Sequence, residues 1–305
     1  MIRHLILRIV QSFGLLLGVL ALVFCMVRLT GDPASLMLSR EATDEQRAEF
    51  RERYGFNDPI PVQLAAYLGN LVRGELGTSL SLGIPNATLI GQRLPATFEL
   101  AVTSLLLAVG VGVPLGVISG LMPRSFFDYV ARGLGLLGQT IPSFWLAMIL
   151  ILVFAVQLRL LPSFGRDGLR SLILPSIALA LGSMGQLVRL TRSSVLEVRS
   201  ENYVRTARSK GLSSQQIAWR HIIPNTAIPL VSVIGVHFTY LLGGSIYIEA
   251  IFSWPGLGSL LNNAINDTDF PLIQAITIFI ALFAIGMNVI TDMLYGLLDP
   301  RIRQR

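Results

Sequence analysis

Charge is scarce in this chain, and so are cysteine, histidine and lysine. Charged residues make up 14% of its 305 residues and hydrophobic ones 52%, for a mean hydropathy of +0.64. Soluble domains carry about 25% charged residues, so an ordinary cytosolic enzyme is excluded. The single cysteine, Cys25, rules out an internal disulfide framework and a multi-cysteine metal site. It reads as a small apolar residue of the first apolar run, and Phe24 stands where a lipoprotein cleavage site needs a small residue. The three histidines are His4, His221 and His237, and no H-E-x-x-H occurs, so no metal site is expected. Lys210 is the only lysine, and Gly211 follows it. The phosphate loop G-x-x-x-x-G-K-[ST] is therefore missing, and the chain does not hold ATP by that device. Acidic groups are also missing from the middle of the apolar runs, where each would cost about 2.5–3.5 kcal/mol. Glu99 and Asp292 fall near run ends, so neither reads as the proton relay of an ion-coupled carrier.

Long apolar runs are what the chain has instead. Six segments reach the roughly 20 residues that a helix needs to cross a hydrocarbon core: 9–29, 98–121, 133–156, 172–190, 226–247 and 271–295. Backbone polar groups in lipid must pair within the segment, which makes these runs helices. The first, with Arg3 and Arg8 before it, is longer than a signal-peptide core and lacks a cleavage site, so it reads as an uncleaved span. The expected fold is all-α and integral to the membrane, with six transmembrane helices and a polar region after the first. The expected divisions are 1–93, 94–295 and a tail at 296–305.

The 24 basic residues against 18 acidic lie in short stretches between apolar runs, which fits a membrane edge and not nucleic acid. With the N-terminus inside, 14 basic residues fall on the inner face, and only Arg159, Arg166 and Arg170 in the two short outer loops. Of the other seven, Arg28 ends the first apolar run and six lie in the long outer segment that follows, which counts weakly. Both termini are thus expected in the cytoplasm, and the three arginines outside stand as an exception.

In the outer segment 31–95, Thr43 and Gln46 are spaced as a capping box before the helical stretch DEQRAEFRER. Asp58-Pro59 and Pro61 are expected to break the chain. The run VQLAAYLGNLV is amphipathic and reads equally as a membrane-surface helix or a short helix packed on the bundle. Gly110, Gly112, Gly116, Gly133, Gly135 and Gly138 suit close helix packing, and Pro114 and Pro142 are expected to kink their helices. Gln139, Thr140, Ser143, Gln186 and Asn288 suit either a neutral pathway lining or interhelical hydrogen bonds; His237 reads as a packing residue.

The most informative stretch, about 193–225, follows the fourth run. From Arg189 to Asn225 it holds seven basic and two acidic residues. Residues 203–210 read as a helix, Gly211 as its stop, Ser213 or Ser214 as the cap of the next, and Pro224 as the start of the following span. Such a helix–glycine–helix elbow is a docking surface for another protein, or else a solvated basic loop on lipid headgroups.

These residues resemble the permease subunits of bacterial ABC importers of the dipeptide, oligopeptide, nickel and glutathione group. The family signature is E-A-A, three residues, G, nine residues, I-x-L-P. Aligned on Gly211 and Pro224, it places Arg205, Thr206 and Ala207 at E-A-A, His221 at I and Ile223 at L. Arg205 and Thr206 depart from the general signature, but YVRTARSKGL is similar to the group's own version of it. GDPAS, GELGTSL, LPATFEL, EAIFSWPGLG and DMLYGLLDPRIR resemble its other landmarks in order.

The resemblance implies a type I ABC importer permease in the bacterial inner membrane. Its partners would be a homologous second permease, two ABC ATPase subunits that hydrolyse ATP, and a periplasmic solute-binding protein. The chain itself would bind no cofactor and catalyse no reaction. Arg205, Thr206, Ala207, Lys210, Gly211, Leu212 and Pro224 would form the ATPase-docking loop. Glu249, Trp254, Pro255 and Gly256 would form a plug-like or docking element outside, while their residues alone equally predict a rigid turn. The alternative is an ion-coupled secondary transporter working alone. The sequence does not choose among peptide, glutathione, nickel chelate and opine as substrate.

Overall fold

The computed structural model describes residues 42–53 and 55–298, with positions 11, 14, 17–22, 24 and 25 of the first apolar run. The expected first span, the GDPAS string and the arginines of the tail therefore lie wholly or mostly outside the described residues. Among the described residues the structure is helical, with one isolated bridge between Thr78 and Pro85. In chain order the helices are α1 (Asp44–Arg53), α2 (Ile60–Val72), α3 (Asn86–Leu121), α4 (Phe126–Thr140) and α5 (Ser143–Leu150). A π-helical turn, Ile151–Gln157, continues α5. Next come α6 (Leu169–Ser200), α7 (Asn202–Ser209) and α8 (Ser214–Ile217), with a second π-helical turn, Ala218–Ile222. The last three are α9 (Ile223–Ile251), α10 (Leu257–Asn266) and α11 (Phe270–Leu298).

Helices α3, α6, α9 and α11 are each long and apolar enough to cross a membrane. The third expected span, 133–156, is not one helix. It is replaced by α4 and α5 with its π-helical turn, which meet at 106°. Ile141 is extended at φ −86, ψ 117, the conformation favoured before a proline, and Pro142 has no N–H to continue the ladder. The expected kink at Pro142 is thus a full break, whereas α3 runs on through Pro114. Helix α6 also continues ten residues past its expected end at 190, to Ser200, so part of the expected 193–225 loop is helix.

By its internal contacts the chain divides into two units, residues 1–95 with 256–285, and residues 96–255 with 286–305. In the first, Thr43 and Gln46 form the expected capping box, with backbone-to-side-chain distances of 3.0 and 3.3 Å. Pro59 ends the preceding turn, but Pro61 sits in the first turn of α2 and starts a helix instead of breaking one. No side chain of α2 is buried. The core of this unit joins Leu89 and Ile90 of α3, Leu257 and Leu260 of α10, and Leu272 and Ile276 of α11.

A buried carboxylate closes this unit. Asp269 Oδ2 accepts from Ser79 Oγ at 2.5 Å, Ser81 Oγ at 2.8 Å and the Ser81 N–H at 3.1 Å, while Oδ1 accepts the Leu272 N–H at 3.2 Å. Burial alone would raise its pKa; the hydrogen bonds from Ser79, Ser81 and Leu272 outweigh that and leave it below the usual carboxylate range. A depressed folded-state pKa stabilises the fold above the unfolded pKa, and the contribution is lost as pH falls through the folded value. Acidification is therefore expected to release the segment 75–86, seen as faster amide hydrogen exchange there. Asp269→Asn should show the fast exchange already at neutral pH. Unchanged protection in both would refute the role given to the carboxylate.

The second unit is a set of close helix contacts made through glycine. A Cβ on Gly116 of α3 would lie 2.6 Å from Thr191 Cβ and 2.7 Å from the Val188 carbonyl oxygen of α6. One on Gly138 of α4 would lie 2.5 Å from the Leu181 carbonyl oxygen, also of α6. Backbone approach of this kind is the packing role expected of small residues in membrane helices. Ala108, Ala180, Met184 and Leu187 form the adjoining core.

Candidate functional site

The elbow begins where α6 ends, at Glu201, and comprises α7, the turn at Gly211, α8 and its π-helical turn. Helix α7 stops in a Schellman motif: the Gly211 N–H bonds the Arg208 carbonyl at 3.0 Å and the Leu212 N–H bonds the Ala207 carbonyl at 3.3 Å. Gly211 has φ +80, the left-handed region that L side chains disfavour. Ser213 then caps α8 in a reciprocal capping box with Gln216, at 3.2 and 3.0 Å. The expected helix, stop and cap thus fall in place, with Ser213 chosen over Ser214.

The side chains of the elbow divide by burial. Val204, Ala207, Ile217 and Ile222 pack with Val195 of α6 into a buried cluster, and Leu212 lies against it. Arg205, Thr206, Arg208 and Lys210 are exposed, as are Gly211 and Pro224. Ala207 and Leu212, expected among the docking contacts, pack against their own chain. Their positions in the Schellman motif explain why an apolar pair brackets Gly211. Arg199 adds a polar tie, its Nη1 reaching the Leu121 carbonyl at the end of α3 at 3.0 Å.

Behind the elbow is a charged knot that sequence reasoning missed. Asp128, 1% exposed, accepts from Ser119 Oγ of α3 at 2.6 Å, the Arg124 N–H at 2.8 Å and Arg192 Nε of α6 at 2.7 Å. It joins α3, α4 and α6 and holds Arg124, whose φ is +67, in the turn between α3 and α4. Ser125 caps α4 by accepting the Asp128 N–H, and a serine three residues before an aspartate was legible as a helix start. Nothing local pointed to Arg192, 64 residues away.

At the opposite end of α9, Glu249 and Trp254 are fully buried. Glu249 Oε1 accepts from Thr97 Oγ1 at 2.8 Å and Ser245 Oγ at 3.0 Å. The Trp254 indole N–H donates to the Ala96 carbonyl at 2.8 Å, and its backbone N–H to the Glu249 carbonyl at 2.8 Å. Pro255 is half-buried, and Gly256 is buried as the N-cap of α10. The stretch is a tightly bonded turn in which the Glu249 and Trp254 side chains point into the chain's own interior. Arg166, one of the three outer arginines, has partners. It pairs with Glu99 at 2.6 Å and sits 5.9 Å over the Trp254 ring.

Among the described residues no group of histidine, cysteine and carboxylate side chains is arranged to hold a metal.

The chain is similar to known proteins. Residues 112–304 match the family of binding-protein-dependent transport system inner membrane components, and residues 1–101 match its N-terminal membrane-component family. The oligopeptide transport system permease protein AppB of Bacillus subtilis is 38% identical over 99% of this chain and 99% of its own. The dipeptide transport system permease protein DppB of Alkalihalophilus pseudofirmus is 35% identical over 99% and 100%. A chain of the MetNI methionine ABC transporter, solved in inward facing conformations, covers 69% of this chain and 96% of its own with TM-score 0.59 at 17% identity. The chain belongs to the binding-protein-dependent transport system inner membrane components, the permease subunits of ATP-driven importers. Its fold is the type I permease fold, and members of the family work with an ATPase and a binding protein.

Proposed function

We propose that this permease moves peptides or closely related small solutes from the periplasm to the cytoplasm, in a complex with a homologous second permease, two ATPase subunits and a periplasmic solute-binding protein. Both termini and the elbow face the cytoplasm, where the ATPase subunits hydrolyse ATP; this chain contributes no ATP site and no catalysis of its own. The observation that carries the reading is the elbow. Its apolar residues fasten it to α6, and its Arg205, Thr206, Arg208 and Lys210 are exposed to a partner's groove. Peptide is the favoured substrate class because the full-length relatives AppB and DppB are oligopeptide and dipeptide permeases.

Tagged chain purified from its native membrane should bring down a second permease and ATPase subunits, identified by mass spectrometry, and uptake should be blocked by vanadate. A chain that emerges alone and transports without ATP would instead be a secondary transporter.

A further inference from the structure

The apolar helices present two kinds of exposed face. On α3 the exposed large side chains include Val102, Leu106 and Val111, and on α11 Leu282, Ile290 and Met293, all suited to lipid. Helix α9 differs. Val236, Tyr240, Gly243 and Tyr247 are exposed at intervals of four, three and four residues and so form one stripe. Tyr247 lies near the helix end, where lipid headgroups accept a tyrosine. Tyr240 does not: it stands midway along the apolar span Pro229–Ile251 and is 66% exposed. In lipid its hydroxyl would have no partner, which is unfavourable. Gly243 beside it leaves open space, since a Cβ there meets nothing within 4 Å.

A second polar group lies at the same depth. Gln186 of α6 is exposed near the middle of the span Leu169–Ser200. Leu179 of α6 lies level with Gly244 of α9, 3.7 Å from a Cβ placed there. The two helices run antiparallel, because Gly244 lies by Leu179 while Val233 and Ile234 pack against the cluster of Ala180, Met184 and Leu187. Seven residues towards the elbow, about 10 Å of helix, bring Gln186 to the level of residue 237, within a turn of Tyr240.

We propose that Tyr240, Gly243 and Gln186 mark a water-filled wall of the translocation pathway that hydrogen-bonds the amide groups of the passing solute. A phenol and a carboxamide each donate and accept without charge. They match the groups that every peptide carries and leave its side chains unread. The pathway assignment rests on the importer reading above.

Cysteine accessibility tests it in the assembled transporter in membrane vesicles. Cys25→Ser removes the one native thiol. Tyr240→Cys, Gly243→Cys and, as a lipid-facing control, Leu106→Cys are then labelled with a charged methanethiosulfonate reagent. The thiolate is the reacting form and needs water, so the first two should label at least ~10-fold faster than the control. Slow labelling in the complex but fast labelling in the isolated chain would mean that the second permease covers the face; slow labelling in both would mean lipid. Either result overturns the proposal. Triglycine should slow labelling of Gly243→Cys, and Tyr240→Phe should abolish that effect; no slowing overturns the amide recognition. Labelling that is fast but unaltered by ATP with vanadate would sink the importer reading and leave the hydrated face standing.

Discussion

Gly211→Pro is expected to leave a permease that inserts and assembles but no longer ties ATP hydrolysis to uptake. Proline holds φ near −65°, whereas Gly211 sits at +80, so the Schellman turn does not form around it. The proline also removes the N–H that bonds the Arg208 carbonyl. The buried contacts of Val204 and Ala207 hold one arm of the elbow, and those of Ile217 and Ile222 the other. Breaking the turn between them misaligns Arg205, Thr206 and Lys210 while the spans on either side are untouched. Uptake per ATP hydrolysed in proteoliposomes should fall at least ~10-fold, the effect of misplacing a docking contact worth about 1.4 kcal/mol. Gly211→Ala should do less, since a left-handed alanine costs roughly 1–2 kcal/mol and the turn can still form. Gly211→Asp should be milder again, because aspartate visits that region more readily. The order proline, alanine, aspartate is the test. Wild-type coupling in the proline variant would show that the elbow does not transmit the stroke.

Asp128→Ala is expected to be the most destabilising single change among the polar residues of the second unit. It strips the charge from a buried pair and leaves Arg192, 26% exposed, facing a site built for a carboxylate. Removing one partner of such a pair costs about 3–5 kcal/mol, and the partial exposure of Arg192 places this case near 3. The Ser119 hydroxyl and the Arg124 N–H lose their acceptor as well, so the left-handed turn between α3 and α4 loses its support. Thermal unfolding of the purified complex in detergent should show the loss. Arg192→Ala should cost a similar amount, and the double variant much less than the two together, because the alanine pair leaves no buried charge unpaired. Strict additivity would mean that the two side chains do not act on each other.

Much of the elbow was legible because its signals are local. The helix 202–209, the glycine that ends it and the serine that caps the next helix follow from torsional preferences and from hydrogen bonds spanning three to five residues. What the sequence did not show was which side of α7 turns inward. The resemblance put Ala207 and Leu212 among the docking residues; their packing against Val195 depends on a helix end that only folding brings there.

The same division holds for the whole molecule. By itself the sequence determined that the chain lives in a membrane as helices, because length and apolarity decide whether a segment can satisfy its backbone in lipid. It determined the residues of the elbow and, through the resemblance, the family. Only the tertiary structure decided that Pro142 breaks a span outright, that Glu249 and Trp254 turn inward, and that Arg166 answers Glu99. It alone brought Arg192 to Asp128 and set Tyr240 in the open at mid-span. The reason is physical: a local signal acts through torsions and hydrogen bonds a few residues apart, whereas burial and charge pairing depend on the packing of segments that are distant in the chain.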